Sequence, residues 1–130
     1  MEKTANILII DDDPDFVEAI KAILENKSYN VSAAYDKNEG IKKINSEKPD
    51  LILLDIMMEK LDDGFTICYE LKHNPELKKI PVLAISAITD ETGLKFSIET
   101  DGEYFEADDY IVKPVRADDL LERIEKLLKK

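Results

Sequence analysis

A chain of 130 residues, 44% hydrophobic and 36% charged, has the size and balance of one domain with a buried core, which excludes a disordered or fibrous protein. Its apolar runs are too short to span a membrane, and the single cysteine, Cys68, excludes an intramolecular disulfide or a thiolate zinc site. A net charge of −11 argues against DNA or RNA as a direct partner, because neutralising a phosphate backbone needs a basic stripe.

Apolar runs and helical patterns then alternate along the chain. Residues 6–10 (NILII) read as a first strand. Asp13 and Pro14 suit the N-cap and N1 positions of a helix running to about residue 25, with Phe16, Ile20, Ile23 and Leu24 on one face. Residues 26–28 break it. Residues 29–34 form a weaker, more polar second strand, expected at a sheet edge. Asp36 to Glu39 is a capping box opening helix two, which buries Ile41 and Ile44 and is weakened by Gly40.

Residues 51–55 (LILLD) form the most buried strand, four apolar residues closed by Asp55. Helix three starts near Gly64, uses Phe65, Ile67, Cys68 and Leu71, and stops at Asn74-Pro75. Residues 82–86 form strand four. Residues 87–108 are the least regular stretch. Residues 110–112 form strand five, and helix five runs from about 117 to the end on Leu120, Leu121, Ile124, Leu127 and Leu128. Residues 1–4 lead straight into a strand, so no secretory leader is expected, and the cytoplasm is the expected compartment.

The expected architecture is a single (βα)5 domain over residues 1–130, a doubly wound parallel sheet of order 2-1-3-4-5. Its switch point lies between strands one and three. That brings Asp11 and Asp12, after strand one, to the same rim as Asp55, after strand three. Three ionised carboxylates in one cleft repel each other, and a fold keeps them for a cation or for chemistry. Oxygen donors without His or Cys suit Mg²⁺, or Mn²⁺. Ser86 ends strand four and Lys113 ends strand five. A hydroxyl and an ammonium facing an Asp–metal centre make a site for a phosphoryl group, with Asp55 as nucleophile. Singly, each has an ordinary reading: Asp55 as a helix or turn cap after a core strand, Ser86 as a strand-end cap, Lys113 as a solvated lysine. Together, at the ends of four strands, they make a set.

With these residues in order, the chain resembles the receiver domain of two-component response regulators over essentially its whole length. The match is carried by residues 7–12 with Pro14, residues 51–58 (LILLDIMM), Gly64-Phe65, Ser86-Ala87 and residues 110–114 (YIVKP). The resemblance implies a flavodoxin-like fold and phosphotransfer from the phosphohistidine of a sensor kinase, or of a phosphotransfer protein, to Asp55. It implies Mg²⁺ held by Asp12, Asp55 and the Met57 backbone carbonyl, with Asp11 acting largely through water. Lys113 would contact the phosphoryl group, and Pro114 would follow a cis peptide bond. It further implies a switch. Ser86 moves toward the new phosphoryl oxygens, Tyr110 swings inward, and the face that strand five and helix five share with the helix the family carries between strands four and five changes. The bland reading of Tyr110 is a fixed, half-buried strand aromatic.

Two departures stand out. The loop over residues 59–63 is one residue longer than usual, lacks the usual proline and carries Glu59, Asp62 and Asp63. Residues 100–106 look like an insertion on the face that partners read. Met57 and Ile88, two positions beyond Asp55 and Ser86, are apolar and cannot orient a hydrolytic water, so slow self-dephosphorylation is expected. The output is expected through an unidentified protein target, by a stand-alone regulator that is no enzyme beyond its own phosphorylation and dephosphorylation. The rivals are an aspartyl-phosphate phosphohydrolase, and a phosphate-independent interaction module on the same fold.

Overall fold

The computed structural model describes residues 5–55, 63–87, 108–113 and 115–129, with the backbone alone at 63–66, 68, 86–87 and 112–113. The strands are β1 (Asn6–Ile10), β2 (Asn30–Ala34), β3 (Leu51–Asp55), β4 (Val82–Ala87) and β5 (Asp109–Lys113). They form one parallel sheet in the order β2-β1-β3-β4-β5. The described helices are α1 (Pro14–Glu25), α2 (Lys37–Glu47), α3 (Asp63–Lys72) and a C-terminal helix (Ala117–Leu128).

Successive strand side chains point to opposite faces, so β1 and β3 split their apolar residues between two cores. Leu8, Ile10, Ile52, Leu54, Val82 and Ala84 pack with Ile44 of α2 and Ile67 and Leu71 of α3. Ile7, Ile9, Leu51, Leu53, Leu83, Ile85 and Ile111 pack with α1 and the C-terminal helix. All five residues of β3 are buried, as its unbroken apolar run requires.

The helices differ from their sequence patterns in rotation. Val17, Ile20 and Leu24 fill the core under α1, while Phe16 and Ile23 only flank it. Ile44 is buried and Ile41 flanks. Leu120, Ile124 and Leu127 are buried, with Leu121 and Leu128 at the margin. An apolar stripe wider than the contact leaves its outer residues half-covered.

Tyr29 is not in β2. Its N–H donates to the Leu24 carbonyl at 3.2 Å, and Ser28 turns the chain with φ 70°. The pair therefore closes α1 before β2 begins. β4 runs one residue longer than the sequence pattern suggests, and β5 one residue longer at each end, because pairing continues where side-chain alternation no longer shows it.

Candidate functional site

The carboxyl ends of β1 and β3 lie side by side, with Ile10 paired to Leu54. Asp11 continues the β1 path, its N–H donating to the Ala34 carbonyl at 3.0 Å. Its Oδ1 accepts the Asp13 N–H at 2.9 Å, and its Oδ2 is buried. Asp11 and Asp55 are 0% and 2% exposed, so both carboxylates lie inside the protein, while Asp12 reaches the surface. One carboxylate oxygen from each of the three lies within 4.8 Å of the others.

Asp13 stands apart from this group in function. Its Oδ1 accepts from the N–H of Asp15 at 3.0 Å and of Phe16 at 3.3 Å, which makes it the N-cap of α1. The cap turns the chain away directly after Asp12, and so leaves Asp11 and Asp12 at the rim.

Two unit charges 4.8 Å apart repel by about 3 kcal/mol at an effective dielectric of 20. Bringing two of them out of water adds a desolvation cost. An oxygen-only set, part buried and part open, fits a hard divalent cation that keeps some of its waters. Asp11, Asp12 and Asp55 would hold it. Bound there, it would offset the repulsion and neutralise charge on an incoming phosphoryl oxygen.

The rest of the expected set is placed by backbone register. Asp55 pairs with Ile85, so Ser86 is the next residue along β4 at this rim. Ala87 pairs with Lys113, which puts Lys113 at the same end of β5. Tyr110 pairs with Ala84, three residues back from Lys113, and is half-buried against the core shared with α2 and α3. Met57, Ile88, Pro114, residues 59–62 and residues 100–106 lie outside the described residues, and Asp63 is described in backbone only.

Sequence reading missed a second polar cluster, at the opposite end of the sheet. Lys72 Nζ donates to Asp108 Oδ2 at 2.9 Å and to the carbonyls of Lys78 and Ile80 at 3.3 and 3.2 Å. A lysine ending a helix and an aspartate before a strand carry no joint signal across 36 residues.

The response regulator receiver domain profile matches residues 7–125. The chain is 36% identical over 124 residues to the DNA-binding dual master transcriptional regulator RpaA of Synechocystis, covering 95% of this chain and 49% of that protein. It is 34% identical to the alkaline phosphatase synthesis transcriptional regulatory protein PhoP of Bacillus subtilis, covering 95% of this chain and 48% of that one. The chain thus spans about half the length of the curated relatives it matches. Among solved structures it is similar to the signal receiver domain of a signal transduction histidine kinase from Syntrophus aciditrophicus. The TM-score is 0.83 at 32% identity, over 97% of this chain and 91% of that one. It is also similar to a CheY-like response regulator receiver domain protein from Methanospirillum hungatei, with TM-score 0.80 at 30% identity, over 98% and 95% of the two chains. The fold agrees with these solved structures, and the chain belongs to the response regulator receiver domain family, the phospho-acceptor switch of two-component signalling.

Proposed function

We propose that Asp55 is the phospho-acceptor of this receiver, taking its phosphoryl group from the phosphohistidine of a histidine kinase or phosphotransfer protein. The observation that carries the reading is the cluster of Asp11, Asp12 and Asp55 oxygens within 4.8 Å, with Asp55 itself buried at the strand end. A carboxylate oxygen of Asp55 attacks phosphorus as the P–N bond breaks, and its electron pair returns to the imidazole. Asp12 and Asp55, with Asp11 and the backbone carbonyl of Met57 that the family pattern adds, would hold Mg²⁺. When bound, the ion supplies charge neutralisation to the phosphoryl oxygens. Lys113 contacts the same oxygens, and Ser86 donates its hydroxyl to one of them after transfer.

Movement of Ser86 then lets Tyr110 turn inward, which alters the surface formed by helix four of the family fold, β5 and the C-terminal helix. Met57 and Ile88, two positions beyond Asp55 and Ser86 in the sequence, are apolar and have no group to orient a hydrolytic water, so slow dephosphorylation is expected. The output goes to a protein, with no direct nucleic-acid contact by this domain: at a net charge of −11 it lacks the basic stripe that phosphates require. The DNA binding in the name of the Synechocystis relative belongs to that protein, of which this chain matches 49%. No described helix is long and apolar enough to cross a membrane, and a cytoplasmic site of action suits a kinase partner.

The test is acetyl phosphate with Mg²⁺ followed by intact mass. One phosphoryl group per chain is expected on the parent and none on Asp55→Asn. Labelling that persists in Asp55→Asn would remove the assignment. Continuous turnover of a small phosphoester, instead of self-limiting labelling, would restore the phosphohydrolase reading.

A further inference from the structure

β5 is held differently from the other strands that build the rim. Among the described residues it pairs only with β4, whereas β1 and β3 each pair on both sides. Register in a parallel pair is set by side-chain burial and by whatever pins the strand's start. A slip of one residue moves a strand by about 3.3 Å and turns every side chain to the other face. On β5 that would exchange Tyr110 and Ile111, which pack on opposite cores. It would also carry residue 113 out of place at the rim.

The pin is Asp108. Its N–H donates to the Val82 carbonyl at 2.9 Å, and its Oδ2 accepts the Val82 N–H at 2.8 Å. Both backbone groups of the first β4 residue are thus taken by one aspartate. The same Oδ2 accepts from Lys72 Nζ at 2.9 Å, and the Lys72 side chain is only 12% exposed. Lys72 is fixed in turn by the Lys78 and Ile80 carbonyls, in the segment leading into β4. One ammonium therefore ties the end of α3, the approach to β4 and the start of β5. From the other face of the sheet Arg123 of the C-terminal helix donates to Asp109 Oδ1 at 2.9 Å and to the Tyr110 carbonyl at 3.0 Å. Burial disfavours its charge, but hydrogen bonds and charges from Asp119 and Asp109 outweigh that and keep it firmly protonated.

We infer that Lys72 and Asp108 are positioning residues for phosphoryl transfer, which act at the far end of the sheet by holding β5 in the register that presents Lys113 to Asp55. The inference rests on the phospho-acceptor reading. It separates two properties of one rim: the carboxylate cluster stands at the end of β3 and directly after β1, whereas Lys113 stands on β5. Loosening β5 therefore slows transfer without weakening the metal site. A general loss of structure would lower both.

The experiment measures Mg²⁺ affinity by calorimetry and the rate of acetyl phosphate labelling by intact mass, in the parent, Lys72→Met, Asp108→Asn and Lys72→Arg. In Lys72→Met and Asp108→Asn labelling should fall about tenfold, short of the roughly hundredfold that a misplacement of one ångström can cost. Mg²⁺ affinity should stay within about twofold of the parent, because the changes lie outside its ligand strands. Lys72→Arg, which keeps charge and reach, should recover most of the rate. Labelling at the parental rate in both Lys72→Met and Asp108→Asn overturns the inference. So does a parallel fall of Mg²⁺ affinity and labelling. A parent that binds Mg²⁺ but takes no phosphoryl group removes the phospho-acceptor reading itself.

Discussion

Gly40 shows how one residue changes meaning between sequence and structure. In the sequence it is a weak point inside α2. In the fold it is buried, and a Cβ built there would lie 3.0 Å from Ile10 Cδ1 and 3.1 Å from Ile10 Cγ2. Ile10 is the last residue of β1, fully buried, directly before Asp11. The missing side chain lets α2 settle on the strand that delivers the site. Alanine would gain about 1 kcal/mol of helix propensity. Overpacking costs roughly 1–3 kcal/mol. Gly40→Ala should therefore be destabilising by about 1 kcal/mol in urea unfolding, as the difference of those two terms. In an Ile10→Val background, which removes Cδ1, the cost should shrink or change sign. Equal effects in both backgrounds would show that the close approach does not govern this position.

At the scale of elements, helix starts decide where the acidic residues go. Asp13 caps α1, and Asp36 caps α2 by accepting the Glu39 N–H at 2.8 Å. Glu39 reaches back to the N–H of Tyr35, one residue before the cap, at 2.8 Å. Asp13 is thus the cap of α1 and stands outside the cluster of Asp11, Asp12 and Asp55, although three aspartates stand in a row. Asp13→Ala should cost about 1 kcal/mol of stability, as an N-cap loss does. It should leave Mg²⁺ affinity and labelling of Asp55 as they were. A variant that keeps its stability but loses Mg²⁺ binding would reassign Asp13 to the site.

For the whole molecule, the carboxylate cluster is a cost that a bound cation would turn into stability. A ligand that binds only the folded state at a hundredfold excess over Kd adds about 2.7 kcal/mol. For a domain of this size that raises the melting temperature on the order of 10 °C. Asp12→Ala should abolish the Mg²⁺ shift in a calorimetric scan and raise the melting temperature of the metal-free protein, since it removes one of three mutually repelling charges. A Mg²⁺ shift that survives in Asp12→Ala would place the cation elsewhere.

The sequence by itself determined the alternation of strands and helices, the buried character of β1 and β3, and the strand-end positions of Asp11, Asp12, Asp55, Ser86 and Lys113. These are legible because side-chain periodicity, caps and buried runs are local, and because parallel strands must bring their carboxyl ends to one edge. Only the tertiary structure decided that Asp11 and Asp55 are buried while Asp12 is not, that Val17 is fully buried while Phe16 packs at the core's margin, and that Gly40 is there for Ile10. It alone joined Lys72 to Asp108 across the sheet's far end. Those facts depend on helix rotation, close approach and strand register, which are settled by packing between segments distant in the chain and leave no periodic trace within any one of them.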